Sequence, residues 1–255
     1  MLDSHSHSHF RLPILTPWQR TRMLKYAEQA LTAQQAMLRP NGESIIQYAL
    51  KKKRVPTRMQ HYPQGDRIDH TSGAQYFYHC HRENFTNLEH GHFHCFLRYK
   101  QIPKYIKPMP LTDWDKYIDN PMTHLVAIAL NQYSQPIRLF LVNRWVVSDI
   151  WYYAKHVALF INKFKINKTD NKYWHPLDLW IESILHLFSP QIMWLNQKRD
   201  IIIKNYMQQN PGSNYCEDNT IEDIVEIEIN MQQHIQWLLT ESVGTAHEAE
   251  ATVSI

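Results

Sequence analysis

Five histidines fall within sixteen residues, and their spacing restricts what this chain can fold into. His79 and His81 stand in Gln75-Tyr-Phe-Tyr-His-Cys-His-Arg82, and His90, His92 and His94 in Glu89-His-Gly-His-Phe-His-Cys-Phe-Leu-Arg98. Residues i and i+2 share one face of a strand, about 7 Å apart, but diverge on a helix. Each neutral imidazole needs both a donor and an acceptor partner, and imidazoles protonated together repel. Two such strands side by side therefore need a polar setting or a cation. If residues 83–88 join them as an antiparallel hairpin, parity decides whether the five meet. Pairing Arg82 with Glu89 gives an odd sum and puts all five on one face, and a loop of this length favours that register. A bulge, for which Gly91 is a natural place, would change it.

Imidazoles from neighbouring strands can converge on one ion at about 2.0–2.1 Å. The expectation is a transition-metal site, zinc or iron, built from His79, His81, His90, His92 and His94 with a position left open. Glu89 is the candidate general base, and Asp66, Asp69 or His70 could supply a further ligand. Arg82, Arg98 and Arg144 are candidates for binding a small anionic substrate. The competing structural reading is a partly solvated polar face whose histidines bond to one another and to water. Elsewhere His124, His156, His175, His186 and His234 read as ordinary packed or surface histidines. By alternation Cys80 and Cys95 point away from the histidine face.

The segment His90-Gly-His-Phe-His-Cys-Phe96 resembles the histidine-triad pattern. That resemblance implies a nucleotide hydrolase or transferase with His92 as nucleophile. It covers about seven residues and departs at Gly91, where an apolar residue is usual.

The rest of the chain reads as helix, sheet, helix. Thr16 and Pro17 open a helix whose apolar residues recur to Leu38, and Pro40, Asn41 and Gly42 close it. A shorter helix is expected over 43–53, and turn chemistry over 61–66. Residues 75–82, 89–99, 125–130 and 137–147 read as strands. Helices are expected from Ser148 or Asp149 to about 164, over 177–188 and over 191–207. Residues 221–239 fit a helix by one set of apolar positions and a strand by another. The fold class is α+β: a central antiparallel sheet covered by N- and C-terminal helices. The expected organisation is a disordered His/Ser-rich stretch over 1–15, one domain over 16–240 and a flexible tail over 241–255.

Charge is unevenly spread. The chain has 255 residues, 27 of them Lys or Arg. All 27 precede residue 217, where only 15 acidic residues lie, while 217–255 hold nine acidic residues and no Lys or Arg. Either the acidic end folds back on a basic body, which is preferred, or the body binds an anionic partner. Nucleic acid is not favoured, because the basic residues are scattered and no recognition motif is present. The longest apolar run, 125–130, is far short of the roughly 20 residues a membrane helix needs. No secretory signal pattern is seen, and three cysteines suit a reducing cytoplasmic setting. Whether the chain is an enzyme or a non-catalytic metal-binding or scaffold protein is left open, as is its oligomeric state.

Several segments together resemble an uncharacterised bacterial family, a domain of unknown function. They are Tyr62-Pro-Gln-Gly-Asp66, the QYFYHCHR and EHGHFHCFLR strands, Asn143-Arg-Trp145 with Trp151-Tyr152, Leu187-Phe188 through Pro190-Gln-Ile192, and Arg199-Asp200. The resemblance spans roughly residues 60–230 and implies no activity or substrate.

Overall fold

The computed structural model describes residues 10–51, 55–81, 88–110, 114–117, 119–167 and 172–240. Six strands form one antiparallel sheet in sequence order: β1 (Tyr62–Ile68), β2 (Ala74–His79), β3 (Glu89–Arg98), β4 (Met122–Asn131), β5 (Pro136–Val142) and β6 (Asp223–Glu228). The helices are α1 (Pro17–Asn41), α2 (Ile45–Ala49), α3 (Arg144–Val147), α4 (Val157–Lys163), α5 (His175–Leu187), α6 (Ser189–Gln209) and α7 (Met231–Thr240). The α+β class with a central antiparallel sheet is therefore what the chain adopts.

Alternation gives the sheet two unlike faces. Tyr76, Tyr78, Phe93, Cys95, Val126, Ile128, Leu139, Leu141, Val225 and Ile227 join one apolar core with α5 and α6, including Trp180 and Ile192. Phe93 and Trp180 meet there with tilted rings, centroids 6.0 Å apart. A buried charge pair ties the first strands to α5. Arg67 Nε and Nη2 donate to Asp178 at 3.0 and 2.8 Å, and the Tyr76 hydroxyl donates to Asp178 Oδ1 at 2.8 Å. Burial pushes the Asp178 carboxyl up, against the pull of Arg67. The opposite face carries the histidines, with Phe77 and Phe96 beside them.

α1 begins as expected, with Thr16 and Gln19 in a reciprocal capping box. It runs through Pro40 to Asn41 and ends where Gly42, at φ 69°, turns its N–H back to Leu38 O. Several expected elements differ: the helix expected over 43–53 spans only Ile45–Ala49, and the strand expected over 75–82 ends at His79. Strand β5 stops at Val142, because Asn143 caps a short helix: its side chain accepts from Arg144 N at 2.7 Å and donates to Tyr215 O at 2.9 Å. No helix starts at Ser148 or Asp149. Asp149 is buried and accepts from His124 N and Trp151 Nε1, so α4 starts only at Val157. Residues 62–68 form strand β1 rather than a turn, and the turn residues appear as its irregularity, with Gly65 at φ 79° and Asp66 at φ 60°. The ambiguous stretch from Ile221 holds both readings in succession, β6 and then α7. Phe10, expected in an unfolded end, is buried and meets Trp194 edge-on at 5.8 Å. Residues 1–9 and 241–255 lie outside the described residues.

The described part of the acidic segment, residues 217–240, folds back. Glu217 pairs with Arg144 at 2.8 Å, and Asp223 and Glu226 pair with Arg138. No described helix is long and apolar enough to cross a membrane.

Candidate metal centre

Strands β2 and β3 pair with the odd-sum register: His79 lies opposite His92, and Phe77 opposite His94. Two bulges then alter which side chains share that face. In β3, Glu89 and Gly91 pair with Asn131 and Leu130, so His90 is an extra residue. It turns to the helix-covered side, where its Nδ1 lies 2.6 Å from the Tyr78 hydroxyl. The same bulge brings Glu89 onto the histidine face. In β4, Val126 pairs with Cys95 and His124 with Phe96, so Leu125 is extra and His124 joins the histidines.

The ring nitrogens form a continuous set of short contacts. Glu89 Oε1 lies 2.6 Å from His92 Nδ1. His92 Nε2 lies 2.7 Å from His79 Nε2, which is 3.2 Å from His94 Nε2. His94 Nδ1 lies 3.1 Å from His124 Nε2. His79, His81 and His92 each offer a ligand nitrogen within 4.8 Å of the others, a group that could hold a metal ion. His61 extends the set: its ring stacks on Phe77 with centroids 3.6 Å apart, and its Nδ1 meets Asp66 Oδ1 at 2.9 Å.

Protonation in this set is over-constrained. Burial alone would raise the Glu89 carboxyl, but His92 and Arg138 more than offset it and hold it at about 2. An ionised carboxylate only accepts, so His92 Nδ1 carries a proton toward it. His79 Nε2 faces both His92 Nε2 and His94 Nε2. One nitrogen offers either one proton or one lone pair, so it satisfies one of these neighbours and leaves the other. His79 Nδ1 is buried and has no hydrogen-bond partner among the described residues. Extra protons are resisted. Burial, then the neighbouring His92, His81 and His61, pushes His79 down to about 2. Burial, then His92 and Arg199, pushes His124 down to about 3, and His81 and His94 are also depressed, by burial first.

A cavity of about 510 Å³ opens over this face, lined in part by His81, Glu89, His92 and His94. Arg138 stands in its wall. It donates from Nη2 to Glu89 Oε2 at 2.7 Å, and from Nη1 to Asp223 at 3.1 Å and to Glu226. Its guanidinium also lies over Phe140, 4.1 Å from the ring centroid.

The expected arginines lie elsewhere. Arg98 donates to Gln75 and Asn120, and Arg144 is buried against Glu217. Arg82 lies outside the described residues. Of the other candidate ligands, Asp66 bonds His61 and Gln75, and Asp69 accepts from the N–H groups of Thr71, Ser72 and Asn167. His124 and Arg138 are missed by the sequence reading. The first depends on a bulge that leaves no mark in the sequence, and the second is one Arg in an apolar strand.

The family described as a domain of unknown function, DUF6969, matches residues 24–229. The chain belongs to that family. The DUF6969 match begins 36 residues before the expected boundary near 60, so most of α1 and all of α2 belong to it, while α7 lies beyond it. All the residues of the histidine face fall inside it. Neither a search of curated proteins nor a search of solved structures finds a match.

Proposed function

We propose that the histidine face is a mononuclear transition-metal centre serving a metal-dependent reaction on a small substrate. The observation that carries this reading is the convergence of ligand nitrogens of His79, His81 and His92 within 4.8 Å of one another, with the His79 and His92 Nε2 atoms 2.7 Å apart. Ligand nitrogens around a tetrahedral ion stand about 3.3 Å apart, so small side-chain rotations accommodate an ion. His79, His81 and His92 are the assigned ligands, with His94 directly behind them. Zinc is favoured over iron, because the described set is all imidazole. The carboxylate that a non-haem iron triad would use is Glu89, and both its oxygens are engaged by His92 and Arg138.

Glu89 therefore orients rather than ligates. It fixes the His92 tautomer with Nε2 bare, and Arg138 fixes Glu89, the arrangement that tunes metal-bound histidines generally. An ion with three imidazole ligands and an open position polarises water or a substrate carbonyl. The cavity gives that position access to substrate, which a closed structural site lacks. The histidine-triad reading needs His90, His92 and His94 on one face, and the β3 bulge takes His90 out of it.

The test is metal content by mass spectrometry on protein starting at Phe10, which removes the Ser-His repeat. Near-stoichiometric metal is expected in the parent and in His90→Gln. It is expected to be lost in His79→Ala and His92→Ala. Equal metal loss in His90→Gln and His92→Ala, or a folded protein that stays empty after incubation with zinc and iron, sinks the proposal.

A further inference from the structure

The charges around the cavity run opposite to what an anionic substrate needs, and this bears on the substrate of the proposed centre; the inference rests on that reading. Three carboxylates line the cavity, Glu89, Glu222 and Asp223. The one described cation in the lining is Arg138, and Glu89, Asp223 and Glu226 already occupy its guanidinium. An anion entering here would lose its hydration against three carboxylates while its sole described counter-charge is taken.

Glu222 is the carboxylate left over. It is exposed, and its carboxylate has no hydrogen bond or ion pair to a described residue, yet its charge is felt at His81. Its neighbour Asp223 is also exposed and reaches Arg138. These two stand at the solvent side, whereas His92 and His94 are buried. Phe140, Val142 and Val146 supply an apolar wall between the two groups' strands. The cavity thus has a metal-ligating end, an apolar side and an anionic mouth, and its volume suits a small organic molecule.

We propose that the substrate is a small amine that is protonated at neutral pH. The ammonium group pairs with Glu222 and Asp223, an aliphatic body lies on Phe140, Val142 and Val146, and an oxygen donor at the other end is directed at the histidine centre. No bond is made or broken in this binding step.

The probe pair is γ-aminobutyrate and butyrate, which differ in the ammonium group alone. Binding is followed by ligand-observed NMR at low salt, on the full chain, with metal content measured on the same sample. γ-Aminobutyrate is expected to bind about two- to fivefold tighter than butyrate, the effect of one partly screened ion pair. Glu222→Gln is expected to remove most of that preference with metal content unchanged, since Glu222 is an exposed side chain outside the ligand set. Butyrate binding as tightly as γ-aminobutyrate overturns the inference. So does a preference that survives Glu222→Gln, or no γ-aminobutyrate signal at tens of millimolar. The metal reading fails separately: a metal-free protein that still prefers γ-aminobutyrate keeps the amine site and loses the centre.

Discussion

Glu89 uses both carboxylate oxygens at once, one on His92 Nδ1 at 2.6 Å and one on Arg138 Nη2 at 2.7 Å. A carboxylate held this way fixes which imidazole nitrogen is bare, and it also makes that nitrogen a stronger donor to a cation. Glu89→Gln keeps the shape but removes the charge, and its amide N–H₂ would face the Arg138 guanidinium. Arg138 retains Asp223 and Glu226, so the fold is expected to stand. Zinc affinity is expected to fall by about 10- to 100-fold, read by competition against a chelator of known strength. An unchanged affinity would mean that His92 needs no orienting partner. Side-chain identity alone suggested that Glu89 belongs with the histidines. Its role was not legible, because it depends on Arg138, which lies 49 positions further along the chain.

Elements decide which of these residues meet. Period-two alternation with an expected connection over 83–88 was enough to anticipate the odd-sum pairing that sets His79 opposite His92. Alternation could not reveal the two bulges, since each is one unpaired residue with no compositional mark beyond Gly91. Their effect is large: one exchanges His90 for Glu89, and the other brings in His124. Gly91 shows why the first bulge sits where it does. A Cβ there would stand 2.5 Å from both His79 O and the Tyr78 hydroxyl, and a backbone carbonyl cannot swing aside. Gly91→Ala should therefore push β3 away from β2 next to the site. A stability loss of about 1–3 kcal/mol is expected, measured by urea unfolding, together with weaker metal binding because His92 is the next residue. If Gly91→Ala matches the parent in both measurements, the close approach at the bulge is not needed. The same limit applies to β1, where Gly65 and Asp66 at positive φ read as a turn but serve a strand irregularity beside His61.

At the scale of the whole molecule, the fold holds several histidines neutral, and that sets its response to acid. His186, stacked on Tyr26 at 4.0 Å, is pushed down to about 4 by burial, then by Arg22 and Lys165. His234, 3.0 Å from Leu187 O, is also pushed down to about 4 by burial, against that carbonyl. An unfolded histidine titrates near 6.5. Between about 6.5 and 4 the unfolded chain therefore binds protons that the native state refuses, so native stability is present above about 6.5 and is lost as pH falls. Going from 6.5 to 5 costs at most about 2 kcal/mol per histidine, and His79 and His124 act in the same direction. Asp149 opposes this: burial lifts it to about 6, against His124 N–H and Arg199, so acid favours its native form, and Asp178, Glu182 and Asp223, also raised by burial, act in the same sense against the histidines. The expected result is a lower urea midpoint at about pH 5 than at about pH 7.5, with chelator present throughout so that metal release does not contribute. His186→Phe keeps a ring against Tyr26 and removes one titrating group, so its midpoint should fall less on acidification. A parent midpoint that holds or rises at the lower pH would show that the native state takes up protons as readily as the unfolded chain, and would count against a buried array of neutral histidines.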